Sequence, residues 1–224
     1  MYLLYSALLA VVLVLGSPYW LFQMLRHGKH RRGLWQRLGA VPERFRGSTK
    51  PSIWIHAVSV GEVLAVSELV PALGNQFPDL RIVISTTTDT GQRLAAARLG
   101  KENVFYFPID FAFAARRWTA ALRPALIVIA ETEFWPNFRR VAHGSGARIA
   151  IVNARISDRS LPGYRRWRKF LTKILRDVDL FLAQTPEDAR RLVEIGADAT
   201  RVTVSGNLKY DIPPPPSPPI VDQL

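Results

Sequence analysis

Short apolar runs alternate with longer stretches of helical periodicity from Ser52 to about residue 211. The apolar runs are rich in Val and Ile and are bounded by polar or glycine-containing turns, which is typical of strands. They predict strands at 52–58, 81–86, 104–107, 125–130, 147–152, 179–183 and 201–205. The stretches between them predict helices at 62–76, 90–99, 111–122, 136–144, 162–176 and 186–195. Alternation of this kind predicts an α/β domain whose parallel sheet is built from βαβ units.

A second pattern precedes this domain. Residues 1–25 carry no charged side chain, and the run from Leu3 to Leu15 is almost wholly aliphatic. A helix of this length can span the ~30 Å hydrocarbon core of a bilayer. Aromatic residues near its end suit the membrane interface, and the Lys/Arg cluster that begins at Arg26 suits the cytoplasmic side. We therefore predict a single-pass N-terminal anchor over residues 1–25, with the globular part facing the cytoplasm. A cleavable signal peptide, which wants basic residues before the apolar run, and a buried core helix are the alternatives.

The net charge of +12 is concentrated in two segments. Residues 26–46 hold seven Lys or Arg against one Glu, and residues 155–176 hold eight against one Asp. Because the rest of the chain is close to neutral, this distribution favours a defined anionic surface or ligand. Net charge also permits nucleic-acid binding, but no recognised module is present and the basic residues adjoin the apolar helix. We expect no nucleic-acid partner.

Within the second basic segment, residues 162–176 place apolar side chains at three- to four-residue spacing with Arg and Lys on the other face. This is typical of a basic amphipathic helix on an anionic membrane. It is equally typical of a sheet-packing helix with a solvated basic face. The chain has no cysteine, which excludes disulfides and thiolate metal sites, and its four histidines lack metal-ligand spacing. We predict no metal and no cofactor.

Polar loops follow several of the predicted strands. The first, Ser59–Glu62, contains Gly61 and places Glu62 at the start of a helix, where a glutamate can serve as a general base or as a capping acid. The second contains Thr86, Thr87 and Thr88 before a glycine and a helix. These hydroxyls can cap that helix or bind a sugar or phosphate at its N-terminus.

Three further loops carry charge. Glu131 and Glu133 follow an apolar strand, which is costly unless they are paired or lie in a cleft. The next loop contains Asn153, Arg155 and Ser157 and suits an anionic ligand or a solvated turn. The last contains Asn207 and Lys209. Since ligands of open α/β sheets bind at the carboxyl ends of the strands, we expect these loops to form a site.

Five motifs in this order resemble the amino-terminal half of the lipid A Kdo (3-deoxy-D-manno-octulosonic acid) transferases of Gram-negative bacteria. They are H-A-V-S-V-G-E, T-T-T-D-T-G, E-T-E-F-W-P-N, N-A-R-I-S-D-R-S and G-N-L-K-Y-D, behind an uncharged N-terminal helix. The resemblance implies the Rossmann-like amino-terminal half of a GT-B fold. It also implies transfer of Kdo from CMP-Kdo to a lipid A precursor at the inner membrane during lipopolysaccharide biosynthesis, with inversion and without an essential metal.

Carried over by motif, Glu62 is the general base, while Glu131, in preference to Glu133, and Lys209 stabilise the transition state. The candidate substrate-binding residues are Ser59, Gly61, Thr86, Thr87, Thr88, Asn153, Arg155, Ser157 and Asn207.

The predicted organisation is an anchor over 1–25, a basic juxtamembrane segment over 26–51, an acceptor-binding domain over 52–211 and a proline-rich linker over 212–224. The donor-binding domain of the family is absent from this sequence, so we expect the chain to be inactive alone. The alternative function is that of a non-catalytic, membrane-anchored domain that binds an anionic lipid.

Overall fold

The computed structural model describes residues 1–27 and 33–211. Part of the predicted basic segment 26–51 and all of the predicted linker 212–224 lie outside the described residues. The strands of the described residues are β1 (Ser52–His56), β2 (Arg81–Thr86), β3 (Val104–Tyr106), β4 (Pro124–Ala130), β5 (Arg148–Ala154), β6 (Leu180–Ala183) and β7 (Val202–Val204). The helices are α1 (Tyr2–His27), α2 (Leu34–Arg37), α3 (Val60–Ala65), α4 (Leu69–Gln76), α5 (Asp89–Leu99), α6 (Ala112–Leu122), α7 (Pro136–Gly144), α8 (Leu161–Arg166), α9 (Arg168–Leu175) and α10 (Pro186–Glu194). Short 3-10 turns lie at Glu43–Phe45, Lys101–Asn103, Ala199–Arg201 and Leu208–Asp211.

The strands described here form one parallel sheet in the order β3-β2-β1-β4-β5-β6-β7. Strand order reverses between β1 and β4, which are neighbours in the sheet although two strands separate them in sequence. In open α/β sheets such a switch point opens a crevice at the carboxyl ends of the strands. The expected parallel α/β sheet is therefore confirmed, and its topology places a crevice between the ends of β1 and β4.

Both faces of the sheet are buried, which explains why the strands are almost continuously apolar. Successive side chains of β1 point to opposite faces. Ile53 and Ile55 join an aliphatic core with Val63, while Trp54 joins an aromatic core on the other face. There the Trp54 ring lies 4.8 Å from the ring of Phe138, centroid to centroid. Helices packed on both faces hold the strand ends at one rigid edge.

The helix predicted over 62–76 is wrong as a single element, because the structure contains α3 and α4 with a break at residues 66–68. Pro71 explains the break. In a continuous helix its ring would collide with the carbonyl of Ser67 and its missing N–H would leave that carbonyl unbonded. At the third position of a new helix the missing N–H costs nothing, since the first four N–H groups have no partner in the helix.

The helix predicted over 162–176 is also two helices, α8 and α9, which meet at Trp167. Leu171, Ile174 and Leu175 are buried in the aromatic core, whereas the Trp167 side chain is 64% exposed. Arg168 donates from Nε to the carbonyl of Glu194 at the end of α10. This arrangement is that of sheet-packing helices with a basic outer face, the second of the two alternatives.

Candidate functional site

Glu62 lies in the first turn of α3, directly beyond the end of β1. Its Oε2 accepts a hydrogen bond from the backbone N–H of Val58 (2.8 Å), and its Oε1 accepts one from the hydroxyl of Ser59 (2.9 Å). The side chain is therefore held in place by the turn that precedes its own helix. Burial raises the pKa of the Glu62 carboxyl, the two hydrogen bonds oppose this, and the nearby charge of Glu131 adds to it. Gly61 borders open space beside it.

The loop of Thr86, Thr87 and Thr88 is hydrogen-bonded to this turn. The backbone N–H groups of Thr87 and Thr88 both donate to the carbonyl of Val58 at 3.2 Å. The hydroxyl of Thr88 accepts from the N–H of Gly91 and so caps α5. Thr86 is buried and donates to the side chain of Gln92 (2.7 Å). The hydroxyls of Thr86 and Thr88 thus have partners within the protein: that of Thr88 caps α5 and also donates to the Val58 carbonyl at 3.3 Å.

His56, at the end of β1, is fully buried and its ring stacks on Phe107 with centroids 3.8 Å apart. Burial lowers the pKa of the imidazole to about 3, against the raising effect of its hydrogen bond to the Ser85 carbonyl. The ring is therefore neutral near pH 7. Its burial and its low pKa make it poorly suited to be the base of the site.

Glu131 follows β4 and has a left-handed backbone, with φ of 58°. For a residue with a side chain this conformation costs roughly 1–2 kcal/mol. Its carboxylate faces two cations: Oε1 lies 3.4 Å from Nζ of Lys209, and Oε2 lies 3.6 Å from Nε of Arg155. The side chain of Glu131 is 20% exposed. Contacts from two distant loops therefore hold this acid at the crevice.

Glu133, two residues further on, lacks such pairing. Burial first, and then the charges of Glu62 and Glu131, raise its pKa to about 7, while Arg139 lowers it. Like charges that share a site disfavour ionisation in this way. Arg139 is completely buried in α7 and donates to the backbone carbonyl of Glu133. The three acids after β1 and β4 consequently form one electrostatic cluster.

The loop after β5 begins with Asn153, which also has a left-handed backbone (φ 55°), a conformation that asparagine tolerates well. Its Oδ1 accepts from the backbone N–H of Leu208 at 3.1 Å. Asn207 in turn accepts from the N–H of Lys209 (3.0 Å). These bonds fix the turn that carries Lys209, so both asparagines position the lysine in this structure.

A cavity of about 470 Å³ opens beside these loops. Its lining comes from the segments after β4, β5 and β6: Glu131, Thr132, Glu133, Arg155, Ile156, Ser157, Ser160, Tyr164, Gln184 and Asp188. A larger hollow of about 770 Å³ between residues 39–48 and α6 has no carboxylate in its lining. The acids therefore single out the cavity at the carboxyl edge of the sheet.

The predicted residues thus fall into two groups. Ser59, Gly61, Glu62 and the three threonines form the loops after β1 and β2. Glu131, Asn153, Arg155, Ser157, Asn207 and Lys209 form the loops after β4, β5 and β7, and of these Glu131, Arg155 and Ser157 line the cavity. Across the crevice the groups are linked by the charge interaction of Glu62 with Glu131 and Glu133.

Sequence reasoning did not single out several of the cavity residues. Tyr164, Gln184 and Asp188 line the cavity but were not among the predicted site residues. Gln184 directly follows β6 and Asp188 lies in the first turn of α10, so the position at a strand's carboxyl end was the signal available. Among residues 1–27 and 33–211, no group of three or more His, Asp or Glu is arranged to hold a metal ion.

Comparison with known proteins identifies relatives of this chain. The sequence model of the family "3-Deoxy-D-manno-octulosonic-acid transferase (kdotransferase)" matches residues 32–212. A 3-deoxy-D-manno-octulosonic acid transferase of Bordetella pertussis is 35% identical over 86% of this chain and 46% of its own length. The enzyme of the same name from Chlamydophila psittaci is 29% identical over 92% of this chain and 48% of its own length. The chain spans about half the length of the curated relatives it matches.

Solved structures with a similar fold are only distantly related in sequence. A UDP-N-acetylglucosamine 2-epimerase matches with a TM-score of 0.55 at 16% identity, over 78% of this chain and 55% of the other. A putative UDP-N-acetylglucosamine 2-epimerase of Listeria monocytogenes gives 0.53 at 15% identity, over 78% of this chain and 51% of the other. With the observed sheet, they confirm the expected Rossmann-like domain of GT-B type. On the match to residues 32–212, the chain belongs to the 3-deoxy-D-manno-octulosonic-acid transferase family.

Proposed function

We propose that the protein transfers Kdo from CMP-Kdo to a hydroxyl of a lipid A precursor in lipopolysaccharide biosynthesis, with inversion and with Glu62 as general base. One observation carries the proposal. Glu62 follows β1 and Glu131 and Glu133 follow β4, on the two sides of the switch point, and Lys209 lies 3.4 Å from Glu131. A switch point is where open α/β sheets bind their ligands. The names of the relatives supply the sugar.

In the proposed step, the acceptor hydroxyl gives its proton to the Glu62 carboxylate as its oxygen bonds to the anomeric carbon of Kdo. The bond from that carbon to the phosphate oxygen breaks, and CMP leaves with the electron pair. A sugar hydroxyl is a weak nucleophile, and a positioned base contributes about 10²–10⁴-fold to such a step. The raised pKa of Glu62 improves its match to a proton taken up near neutral pH.

Charge stabilisation falls to the second group of residues. As the bond to CMP breaks, the sugar centre becomes cationic and the phosphate becomes more negative. We infer that Glu131 stabilises the first charge and Lys209 the second, since groups already oriented at the site pay no reorganisation cost during the reaction. Asn153 and Asn207 contribute by fixing the turn that carries Lys209.

For acceptor binding we propose two kinds of contribution. Arg155 and Ser157 line the cavity, and the Arg155 side chain is 59% exposed, so both are available to a phosphate or sugar hydroxyl. Ser59, Thr87 and Thr88 act through Glu62, because Ser59 hydrogen-bonds to its carboxylate and the two threonines to Val58, which also bonds to that carboxylate. Thr86 supports the same loop through its bond to Gln92. Gly61 leaves open space next to the base.

The location follows from α1 and the cations after it. Residues Tyr2–Gln23 have a mean hydropathy of 1.8 and are long enough to cross a membrane. We propose attachment to the inner membrane, with the domain on the cytoplasmic side. The single pass stays a sequence prediction. We further propose that CMP-Kdo is held mainly by a carboxyl-terminal domain, as the family resemblance implies.

The test is Kdo transfer from CMP-Kdo to a tetraacylated lipid A precursor. It compares this chain extended to the full length of its relatives with the chain alone. We expect transfer by the extended protein and its loss in Glu62→Gln. Unchanged transfer in Glu62→Gln would overturn the base assignment. Acceptor binding without any transfer by the extended protein would favour the non-catalytic lipid-binding alternative.

A further inference from the structure

Helix α1 has two different faces. One stripe along the helix is less exposed than the rest and contains most of its uncharged polar side chains. The stripe consists of Tyr2, Tyr5, Ser6, Leu9, Ala10, Leu13, Gly16, Ser17, Trp20 and Gln23. The exposed large side chains up to Phe22 are, apart from Tyr19, apolar: Leu3, Leu4, Leu8, Val11, Val12, Val14, Leu15, Leu21 and Phe22, of which Leu21 also lines a cavity against α2. The spacing of three and four residues marks a helix that lies along a surface with its polar side inward.

The first turns of α1 are bonded to the domain. The Ser6 hydroxyl oxygen accepts from Nδ2 of Asn137 at 3.0 Å, and Tyr5 donates to the buried carboxylate of Asp110. The ring of Tyr2 lies 4.5 Å beneath the guanidinium carbon of Arg140. Asp110 also accepts from the backbone N–H groups of Asn137 and Phe138, so it joins α1 to the start of α7.

The far end of α1 is also close to the domain. A cavity there is lined by residues of α1, among them Leu13 and Trp20, and by α2 and Ile109. The helix is about 39 Å long at 1.5 Å per residue. The contacts of its first turns and the cavity that its second half shares with α2 therefore place the axis of α1 along the protein and do not direct it away from the domain.

We propose that α1 lies in the plane of the membrane surface, with its apolar face in the leaflet and its polar face on the domain, in place of a single pass. This rests on the membrane attachment proposed above, not on the glycosyl transfer. A spanning helix would carry Tyr5 and Ser6 out of contact with Asp110 and Asn137 and leave them in hydrocarbon, where unpaired polar groups are costly.

Charge supports a bilayer with anionic lipids as the partner of this face. Arg140 lies at the beginning of α1 and Arg26 near its end, and both side chains are exposed. Cations at both ends of an in-plane helix meet the headgroups of one leaflet. In a spanning helix these ends would lie on opposite sides of the membrane, with Arg140 far from the first turn.

The placement also brings the membrane to the site. Asp110 follows β3 and Asn137 follows β4, so the start of α1 lies at the carboxyl edge of the sheet. Glu133 lies four residues before Asn137, in the loop that leads into α7. A phosphorylated lipid that stays in the leaflet could thus present its headgroup at this edge without leaving the membrane.

The absence of cysteine makes a clean test, because every thiol is an introduced one. In inverted inner-membrane vesicles, a cysteine in a short polar extension before Tyr2 is treated with a membrane-impermeant maleimide. Glu68→Cys, on the exposed surface of the domain, is the matched control. We expect both to be labelled without detergent. Labelling of the N-terminal cysteine only after detergent would overturn the in-plane arrangement and leave attachment intact. Recovery of the protein outside the membrane fraction would overturn both.

A cross-link tests the contact itself in the membrane. Tyr2→Cys with Arg140→Cys joins facing positions, and Leu4→Cys with Arg140→Cys uses the outward face of the same turn. With a short bis-maleimide we expect several-fold more cross-linking in the first pair. Ser6→Cys with Asn137→Cys, oxidised without a linker, repeats the test one turn further on. Equal yields from the facing and outward pairs would overturn the proposal.

Discussion

The loops after β1 and β4 end neighbouring strands at one edge, yet they hold their acids in opposite ways. Glu62 has both oxygens bonded within its own turn, to Val58 and Ser59. Glu131 has a left-handed backbone and finds its partners, Arg155 and Lys209, on distant segments. One acid is fixed by local structure and the other by tertiary structure.

In the proposed mechanism, capping and catalysis by Glu62 do not exclude each other. A capping glutamate is oriented before any substrate arrives. Its hydrogen bonds only partly offset the effect of burial, so the pKa of Glu62 stays raised and the carboxylate can accept a proton more readily. Glu131 is instead paired with two cations, Arg155 and Lys209. We therefore expect the β1 loop to move a proton and the β4 loop to supply charge.

We expect the largest loss of transfer from Glu62→Gln in the extended protein. Glutamine keeps an oxygen for the Val58 N–H but cannot take the proton. We expect transfer to fall about 10²–10⁴-fold while the free energy of unfolding changes by less than about 1 kcal/mol. Initial rates and urea unfolding measure the two quantities. Glu68→Gln, an exposed acid in the same segment, is the control and should leave both unchanged.

Lys209→Met tests the charge assigned to the β4 side. It removes the cation 3.4 Å from Glu131 while keeping a long apolar stem. We expect about a 10²-fold loss of the turnover rate, the size found when one oriented donor is removed from an active site. Lys173→Met, an exposed lysine on α9, is the control. A loss of equal size in both variants would contradict the assignment.

Glu133 is expected to make both stability and transfer rate depend on pH. Its pKa is raised to about 7 from 4.5, so the folded state binds a proton more tightly than the unfolded chain. This contribution to stability is full below about pH 4.5 and is lost as pH rises through about 7. We expect Glu133→Gln to flatten the fall in melting temperature over this window and to remove an inflection near pH 7 from the rate profile. A wild-type melting temperature that does not fall over this window, or a fall of the same size in Glu133→Gln, would contradict this expectation.

Ser59→Ala has the smallest expected effect. It removes one hydrogen bond to Glu62, worth about 0.5–1.5 kcal/mol, and leaves Val58 to hold the carboxylate. The pKa of Glu62 should rise further, moving the acid limb of the rate profile to higher pH with a few-fold loss near neutrality. The control is Ser67→Ala, whose hydroxyl bonds to the Val63 carbonyl in the same segment. A shift in both profiles would mean that the effect is not local to Glu62.

Local chemistry explains what could be predicted. Proline at the first helical position marks α7, and it begins at Pro136 as expected. The parallel sheet followed from apolar runs, because strands buried on both faces have few polar residues. The break before α4 was missed because the pattern of apolar residues continues across it, although Pro71 was the signal.

The site was less accessible to sequence reasoning, since its contacts join residues far apart in the chain. The bond from the Leu208 N–H to Asn153 spans 55 positions and has no local signature. The preference for Glu131 over Glu133 came from the family resemblance, and both acids line the cavity. Their different electrostatics arise from Lys209, Arg155 and Arg139, whose positions only the fold provides.

The buried carboxylate of Asp110 has a practical consequence for protein production. An apolar first helix is a natural segment to delete for solubility. Without α1, Asp110 would lose its hydrogen bond from Tyr5 and Asn137 its contact with Ser6. A shortened protein would then be purified with a loosened start of α7, the helix that follows Glu133. Detergent or nanodisc preparations that keep α1 are the sounder material for measuring this site.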